Sequence, residues 1–409
     1  MKAFHFFLTR IFLRKPIFAI GTLTLLFLAN YIVFSTARTV FSAREGYEQM
    51  ARINAEGTFM ASLDPDATVD VDSSSKESIQ SVYDVLDDRY EYAFYTDGYI
   101  TDLANSHGVE VPVGYMNQRY NELNGFSVAK GDGLTFDYSL DQGEAIPVLV
   151  GRGLADDYPL GSQFTMHDPA LGRELTVRVV GIIAENSSHS ILYAPDLKQY
   201  HNFSVVIPVN RAFIEQADAS FKLNGLMDLI LVNTDRTGVS ELGAYVDRTI
   251  GVKFNYYSRQ DNIEFYNQYL VSSTSSLLVV SGALLVLIIV LSVWGSLASV
   301  RVMVRDFTIN VLVGLSYSKV RRFLFSYYAG LSLLTLLAVL AMAAYSRYDA
   351  WQGKSAFLMT YGCAGLIGMD WLALLVALLL DLFLVTVVVQ TISWRLRRVP
   401  ISVGVCSDG

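Results

Sequence analysis

Four apolar runs, at residues 17–37, 277–300, 323–345 and 371–393, are each long enough to cross a bilayer as a helix. A hydrocarbon core about 30 Å thick needs roughly 20 helical residues. A chain of 409 residues that is 52% hydrophobic and only 17% charged is too apolar for a soluble protein with an ordinary core. The expected fold class is therefore a membrane protein with four transmembrane α-helices and a large extracytoplasmic α/β domain inserted between helices 1 and 2. Arg14 and Lys15 precede the first run as they would in a signal peptide. The run is too long for a cleaved segment and Ser35-Thr36-Ala37-Arg38 is a poor cleavage site, so helix 1 is expected to be retained.

Orientation follows from the basic residues, because cytoplasmic loops collect Lys and Arg. Lys2, Arg10, Arg14 and Lys15 precede helix 1; Arg301, Arg305, Lys319, Arg321 and Arg322 lie between helices 2 and 3; Arg395, Arg397 and Arg398 follow helix 4. These 12 basic residues meet only two acids, Asp306 and Asp408, whereas residues 38–269 hold 17 basic and 34 acidic ones. Both ends are thus expected in the cytoplasm, in a multi-pass protein of the bacterial cytoplasmic membrane, with the acidic domain outside. The domain map reads 1–16 cytoplasmic, 17–37 helix 1, 38–269 outer domain with stalk helices, 270–300 helix 2, 301–322 inner loop, 323–345 helix 3, 346–370 outer loop, 371–394 helix 4 and 395–409 tail. Cys363 and Cys406 fall on opposite sides and cannot pair within one chain. The outer domain has no cysteine and is large enough to be held by its own core, which fits a bacterial envelope.

Within that domain the hydrophobic period switches between helical and extended. Ser74 to Glu77 matches a capping box, and Ile79, Val82, Tyr83 and Leu86 follow on one helical face. Val109, Val111, Val113 and Tyr115 alternate as in a half-buried strand, and Ile146, Val148 and Val150 repeat the pattern, as do Val177 and Val179 before Gly181. A second helix is expected near Val239, Leu242, Tyr245 and Val246, between extended runs at 227–232 and 253–257. Residues 125–140 and 161–174 read as turn-rich β insertions forming a small second lobe.

Candidate chemical sites are sparse. The only near match to a phosphate-cradling loop is Gly353-Lys354-Ser355, but Tyr348 stands where its first glycine belongs and the segment is expected outside the cell. No nucleotide site is expected in this chain, so any ATPase, with its ATP and Mg, acts in trans. Asp64, Asp66, Asp70 and Asp72 have the spacing of a calcium loop, yet Val69 replaces the required glycine and Ser75 the bidentate glutamate, which favours a solvated acidic linker. His107, His167, His189 and His201 lack zinc-site spacing and read as surface or loop residues. No nucleophile elbow is present, hydrolysis by this chain is not expected, and no metal or nucleic-acid partner is expected either.

Asp381 lies near the middle of helix 4, where a carboxylate is costly unless it faces protein or water. It reads either as a structural hydrogen bond to a hydroxyl on another helix or as a proton-sensitive hinge. Residues 38–52 leave helix 1, and 262–269 enter helix 2, without a helix break, as stalks would. In the inner loop Phe307, Val311, Leu312 and Leu315 recur at near-helical spacing beside charges, which suggests a short surface helix able to dock into a groove on a cytoplasmic partner.

This loop resembles the coupling segment of MacB/FtsX-type ABC transporter permeases. Arg305, Asp306, Ile309, Gly314, Ser316 and Arg321 match the family's pattern; Asn310, Val311 and Leu315 depart from it. Residues 148–183, with Gly151-Arg-Gly-Leu-Ala, Gly161 and Val177-Arg-Val-Val-Gly-Ile-Ile183, resemble the outer core domain of MacB-like permeases, and Pro400-Ile-Ser-Val resembles the family's tail. The resemblance implies an ABC-type ATPase partner and a second permease copy or related permease. It implies ATPase contact through Arg305, Asp306, Phe307, Ile309, Leu312, Gly314, Leu315 and Ser316, and an outer domain that binds cargo, an adaptor or a substrate-delivery protein. The implied function is ATP-driven export or extraction of a peptide, lipid or hydrophobic compound. The alternative is FtsX-like mechanotransmission to an extracellular cell-wall hydrolase, which the large outer domain disfavours.

Overall fold

The computed structural model describes residues 16–66, 76–104, 106, 108, 110–140, 144–191, 194–269, 272, 274–352 and 363–398. Helix α1 (Pro16–Ile53) begins on a proline, which fits a first helical turn, and no later proline interrupts its 38 residues. There follow β1 (Phe59–Leu63), α2 (Lys76–Arg89), β2 (Glu91–Ala104), β3 (Glu110–Asn117), α3 (Gln118–Asn124), β4 (Val128–Gly131), β5 (Ile146–Val150) and β6 (Gln163–Asp168). The chain continues through β7 (Arg173–Ile183), β8 (Ser188–Ile191), β9 (Ala194–Tyr200), β10 (Val205–Val209), α4 (Arg211–Gln216), α5 (Ala219–Met227), β11 (Leu229–Val232), α6 (Arg236–Ile250), β12 (Phe254–Ser258) and α7 (Arg259–Tyr269). It closes with three long helices, α8 (Ser275–Leu312), α9 (Tyr317–Trp351) and α10 (Gly368–Arg398). Four helices, α1, α8, α9 and α10, are long and apolar enough to cross a membrane, and the α/β domain is inserted between the first and second of them.

The chain forms two compact units, one of residues 42–270 with 347–365 and one of 1–41, 271–346 and 366–409. In the first, a mixed sheet runs in the order β12-β1-β11-β2-β3-β10-β5-β7-β4, with β6 also paired to β7. Its β10–β3 and β5–β7 pairs are parallel. Successive residues alternate faces in a strand. Leu229 and Leu231 of β11 accordingly join Ile79, Val82, Tyr83, Leu86, Phe213, Phe221, Leu242 and Val246 of α2, α4, α5 and α6. Ile230 and Val232 join Met50 and Ile53 of α1, Tyr120 of α3 and Tyr266 of α7 on the other face.

Because both faces are covered, every residue of β5 is buried, where the alternation of Ile146, Val148 and Val150 suggests a half-buried strand. The expected second lobe is also corrected. Strands β4 and β6, in the segments 125–140 and 161–174, pair with β7 of the main sheet, and the separate element is the β8–β9 hairpin. Short helices are set by N-caps in which Asn117, Asn210, Asp218 and Asp235 accept hydrogen bonds from Tyr120, Phe213, Phe221 and Gly238 backbone N–H groups.

The second unit is a bundle without a sheet. Leu26 and Ala29 of α1 pack with Ile288 of α8 and Leu384 of α10. Phe34 packs with Val339, Ala343, Ala373 and Leu374. Arg38 pairs with the fully buried Asp370 at 3.3 Å, and Thr36 donates to Ser281 at 2.8 Å. Leu270, Val271 and Ser273, where the second stalk would enter helix 2, lie outside the described residues; Ser272 and Thr274 have π-helical geometry.

Candidate functional site: a helical hairpin tip and two polar centres

The inner-loop sequence does not form a separate surface helix. No proline, and no glycine after Gly295, interrupts α8 before Gly314, so the helix continues 14 residues past the apolar span that ends at Ala298, roughly 20 Å. It stops where Gly314 takes φ +104°, a region that side-chain-bearing residues avoid. The turn is closed by Val313 N–H to Ile309 O at 3.1 Å and Leu315 N–H to Asn310 O at 3.0 Å. Ser316 then opens α9, its carbonyl accepting from Lys319 N–H at 2.9 Å and Val320 N–H at 3.1 Å.

The residues expected to meet an ATPase separate into two groups. Phe307 is 2% exposed and packs with Val320, Leu324, Tyr327, Val388, Ile392 and Leu396 of α9 and α10. Its expected partner-facing role is corrected: it holds the hairpin to α10. Leu315 is partly buried against the same cluster. Ile309 and Leu312 are exposed, as is Val313 at 85%, with Gly314, Ser316 and Tyr317 alongside. Lys319, Arg321 and Arg322 are exposed beside them. Arg305 and Asp306 lie on α8, near its C-terminal end. Val313 and Tyr317 are additions that sequence periodicity missed; only the position of the break at Gly314 identifies them. Gly353, Lys354, Ser355, Asp70, Asp72, Ser75, His107, Cys406 and the 400–403 tail lie outside the described residues. Asp64 is engaged by Lys253 at 3.2 Å.

Asp381 is 3% exposed, and an amide of another helix engages it: Asn30 Nδ2 donates to Asp381 Oδ2 at 3.0 Å and to Thr335 Oγ1 at 3.1 Å. Thr335 in turn donates to Ser332 O at 2.8 Å, so α1, α9 and α10 meet at one polar point. The periodicity of a single helix carries no trace of this three-helix contact.

In the sheet unit the ends of α1 and α7 are joined. Asn262 Nδ2 donates to Asn54 Oδ1 at 3.1 Å, and the Tyr47 and Tyr266 rings meet edge to face at 5.3 Å. The β8–β9 hairpin also holds α1, through Ser190 Oγ to Gln49 Oε1 at 3.0 Å and an ion pair of Lys198 with Glu45.

Two of the four histidines are not surface residues. His167 is exposed, but His189 and His201 stack and share a hydrogen bond, Nδ1 to Nε2 at 2.7 Å, with His201 1% exposed. Phe126 packs on His201 with ring centroids 4.4 Å apart, and burial pushes both imidazoles below their usual pKa. Gly151 makes the arrangement possible, since a Cβ there would lie 2.0 Å from His201 O.

No family model matches the chain, and no curated protein matches it. Among solved structures, the extracellular domain of the noncanonic ABC-type transporter YknZ from Gram-positive bacteria is similar over 49% of this chain and 100% of its own, at 15% identity and TM-score 0.30. The periplasmic region of MacB from Actinobacillus actinomycetemcomitans is similar over 53% of this chain and 95% of its own, at 13% identity and TM-score 0.32.

Proposed function

We propose that the chain is a MacB/FtsX-like permease subunit whose outer α/β domain is moved by a separate ABC-type ATPase, in export or extraction of a peptide, lipid or hydrophobic compound. Both chain ends lie in the cytoplasm, the ATP and Mg stay on the ATPase, and two permease chains work together. The observation that carries this reading is the hairpin tip. Ile309, Leu312 and Val313 expose apolar surface at the end of the continued α8, and the exposed Lys319, Arg321 and Arg322 follow on the first turns of α9. Solvent-exposed apolar groups clustered with cations on a pre-ordered turn fit a protein partner. A push on that tip reaches α9 through Phe307 and its cluster. Helices α1 and α9 each continue without a break beyond their apolar spans.

Purification of the tagged full chain from its native membrane tests the reading. ATPase activity is expected to accompany the wild-type chain and to be lost with Val313→Asp, while the variant still inserts. ATP hydrolysis by the isolated chain would overturn it.

A further inference from the structure

On the α1-facing side of the sheet lies a cleft of about 380 Å³, within the roughly 300–1,000 Å³ range of small-molecule sites. Its walls come from α1 (Gln49, Met50, Ile53), β1, β11, α3 (Tyr120, Asn124) and the β8–β9 hairpin (His189, Ser190, Gln199). The charged side chains lining it are two carboxylates, Asp97 of β2 and Asp228, between α5 and β11. Among the described residues no lysine or arginine lines it, and three methionines, Met50, Met60 and Met227, supply a polarisable apolar surface.

The histidine pair does not neutralise these acids. His189 Nε2 faces Asp97 Oδ2 at 3.4 Å, so its Nδ1 is the acceptor and His201 Nε2–H the donor. His201 Nδ1 is then a bare lone pair, in accord with its having no hydrogen-bond partner among the described residues. Burial pushes both rings below their usual pKa, which disfavours their cationic forms, so the histidine pair supplies no fixed positive charge beside Asp97. Asp228 shows the consequence: surrounding protein first, and the like charge of Asp97 in addition, push its pKa up to about 7, against a hydrogen bond from Thr96.

We propose that this cleft binds an organic ammonium with an apolar body, the cation held between Asp97 and Asp228 and the body laid on Met50, Ile53, Met60 and Met227. A bound cation relieves the repulsion between the two carboxylates and displaces the proton from Asp228, so affinity rises with pH. One wall is formed by Gln49, Met50 and Ile53 of α1. The inference goes beyond the proposed ATP-driven function, and its test uses neither ATP nor a partner, so the two fail separately.

The test is fluorescence titration of the full chain in nanodiscs with dansylcadaverine, a primary amine on an aromatic body, against its neutral N-acetyl derivative. The amine is expected to bind at least 10-fold more tightly than the derivative, with the preference growing from pH 6 to pH 8. Asp97→Asn with Asp228→Asn should abolish the preference, and Met50→Trp, which fills the cleft, should weaken amine binding. Equal binding of the two probes to the wild-type chain would overturn the proposal without recourse to any variant, as would an amine preference that survives in the double variant or amine binding that is untouched by Met50→Trp.

Discussion

Asn262 donates a buried hydrogen bond to Asn54 at 3.1 Å, tying the end of α1 to α7. Each helix carries its own face into the sheet core, Ile53 and Tyr266 respectively, and the amide pair fixes their register above that packing. Removing Asn262 leaves the buried Asn54 Oδ1 without its donor, and removing Asn54 takes one acceptor from Asn262, which keeps Tyr257 O at 3.3 Å, so each loss costs at most about 1–3 kcal/mol. Asn54→Ala and Asn262→Ala should each lower the melting temperature of the sheet unit by several degrees, by intrinsic fluorescence. The double variant should lose less than the sum, because the second removal leaves no new orphan.

Phe307 and Leu312 lie five residues apart on one helix and should respond oppositely. Phe307→Ala empties a buried site and is expected to cost about 3–5 kcal/mol. Leu312→Ala, at an exposed position, should stay within about 0.5 kcal/mol while weakening ATPase association. Denaturation of the two purified variants beside an ATPase pull-down checks both arms.

Asp381→Asn preserves an acceptor for Asn30 and should leave stability in detergent near that of the wild-type chain. Asp381→Leu removes one of the two acceptors of the Asn30 amide, Thr335 remaining as the other, and should cost about 1 kcal/mol, the scale of interhelical hydrogen bonds in membranes. Equal melting curves for the two variants would show that the contact does not hold the bundle.

The sign of the Asp228 effect follows from its raised pKa. The folded state binds this proton more tightly than the unfolded chain does, so the unfavourable contribution is absent below about pH 4. It grows as pH rises and is complete above about pH 7. Discounted for the carboxylate's exposure to solvent, it is about 1 kcal/mol, or roughly 2–4 °C in a domain of 150–250 residues. Asp228→Asn should therefore raise the melting temperature by about that amount at pH 8 and leave it unchanged at pH 4, in paired melts at the two pH values.

Local periodicity made much of the fold legible. Ile79, Val82, Tyr83 and Leu86 are all buried on one face of α2, and the alternation of Val111 and Val113 places β3. The two-sided burial of β5 was not legible, because it depends on helices from distant parts of the chain. For the same reason Phe307 and Leu312 read alike in sequence: an amphipathic face looks the same whether a neighbouring helix or a partner covers it. His189 and His201 gave no motif, since what unites them is a hydrogen bond across the β8–β9 hairpin and a carboxylate from β2, about 90 residues away. Gly314 was legible as a family-like position but not as the end of α8, because the inner loop read as a separate short helix.

Cross-linking from the hairpin tip tests the central claim most directly. A photoreactive residue at Val313 in the full chain, activated in native membranes, should join the chain to an ATP-binding subunit, while the same residue at Val279, exposed on the apolar span of α8, should not. A Val313 adduct with no ATP-binding protein, in membranes where the transport or relay activity is intact, would contradict the account.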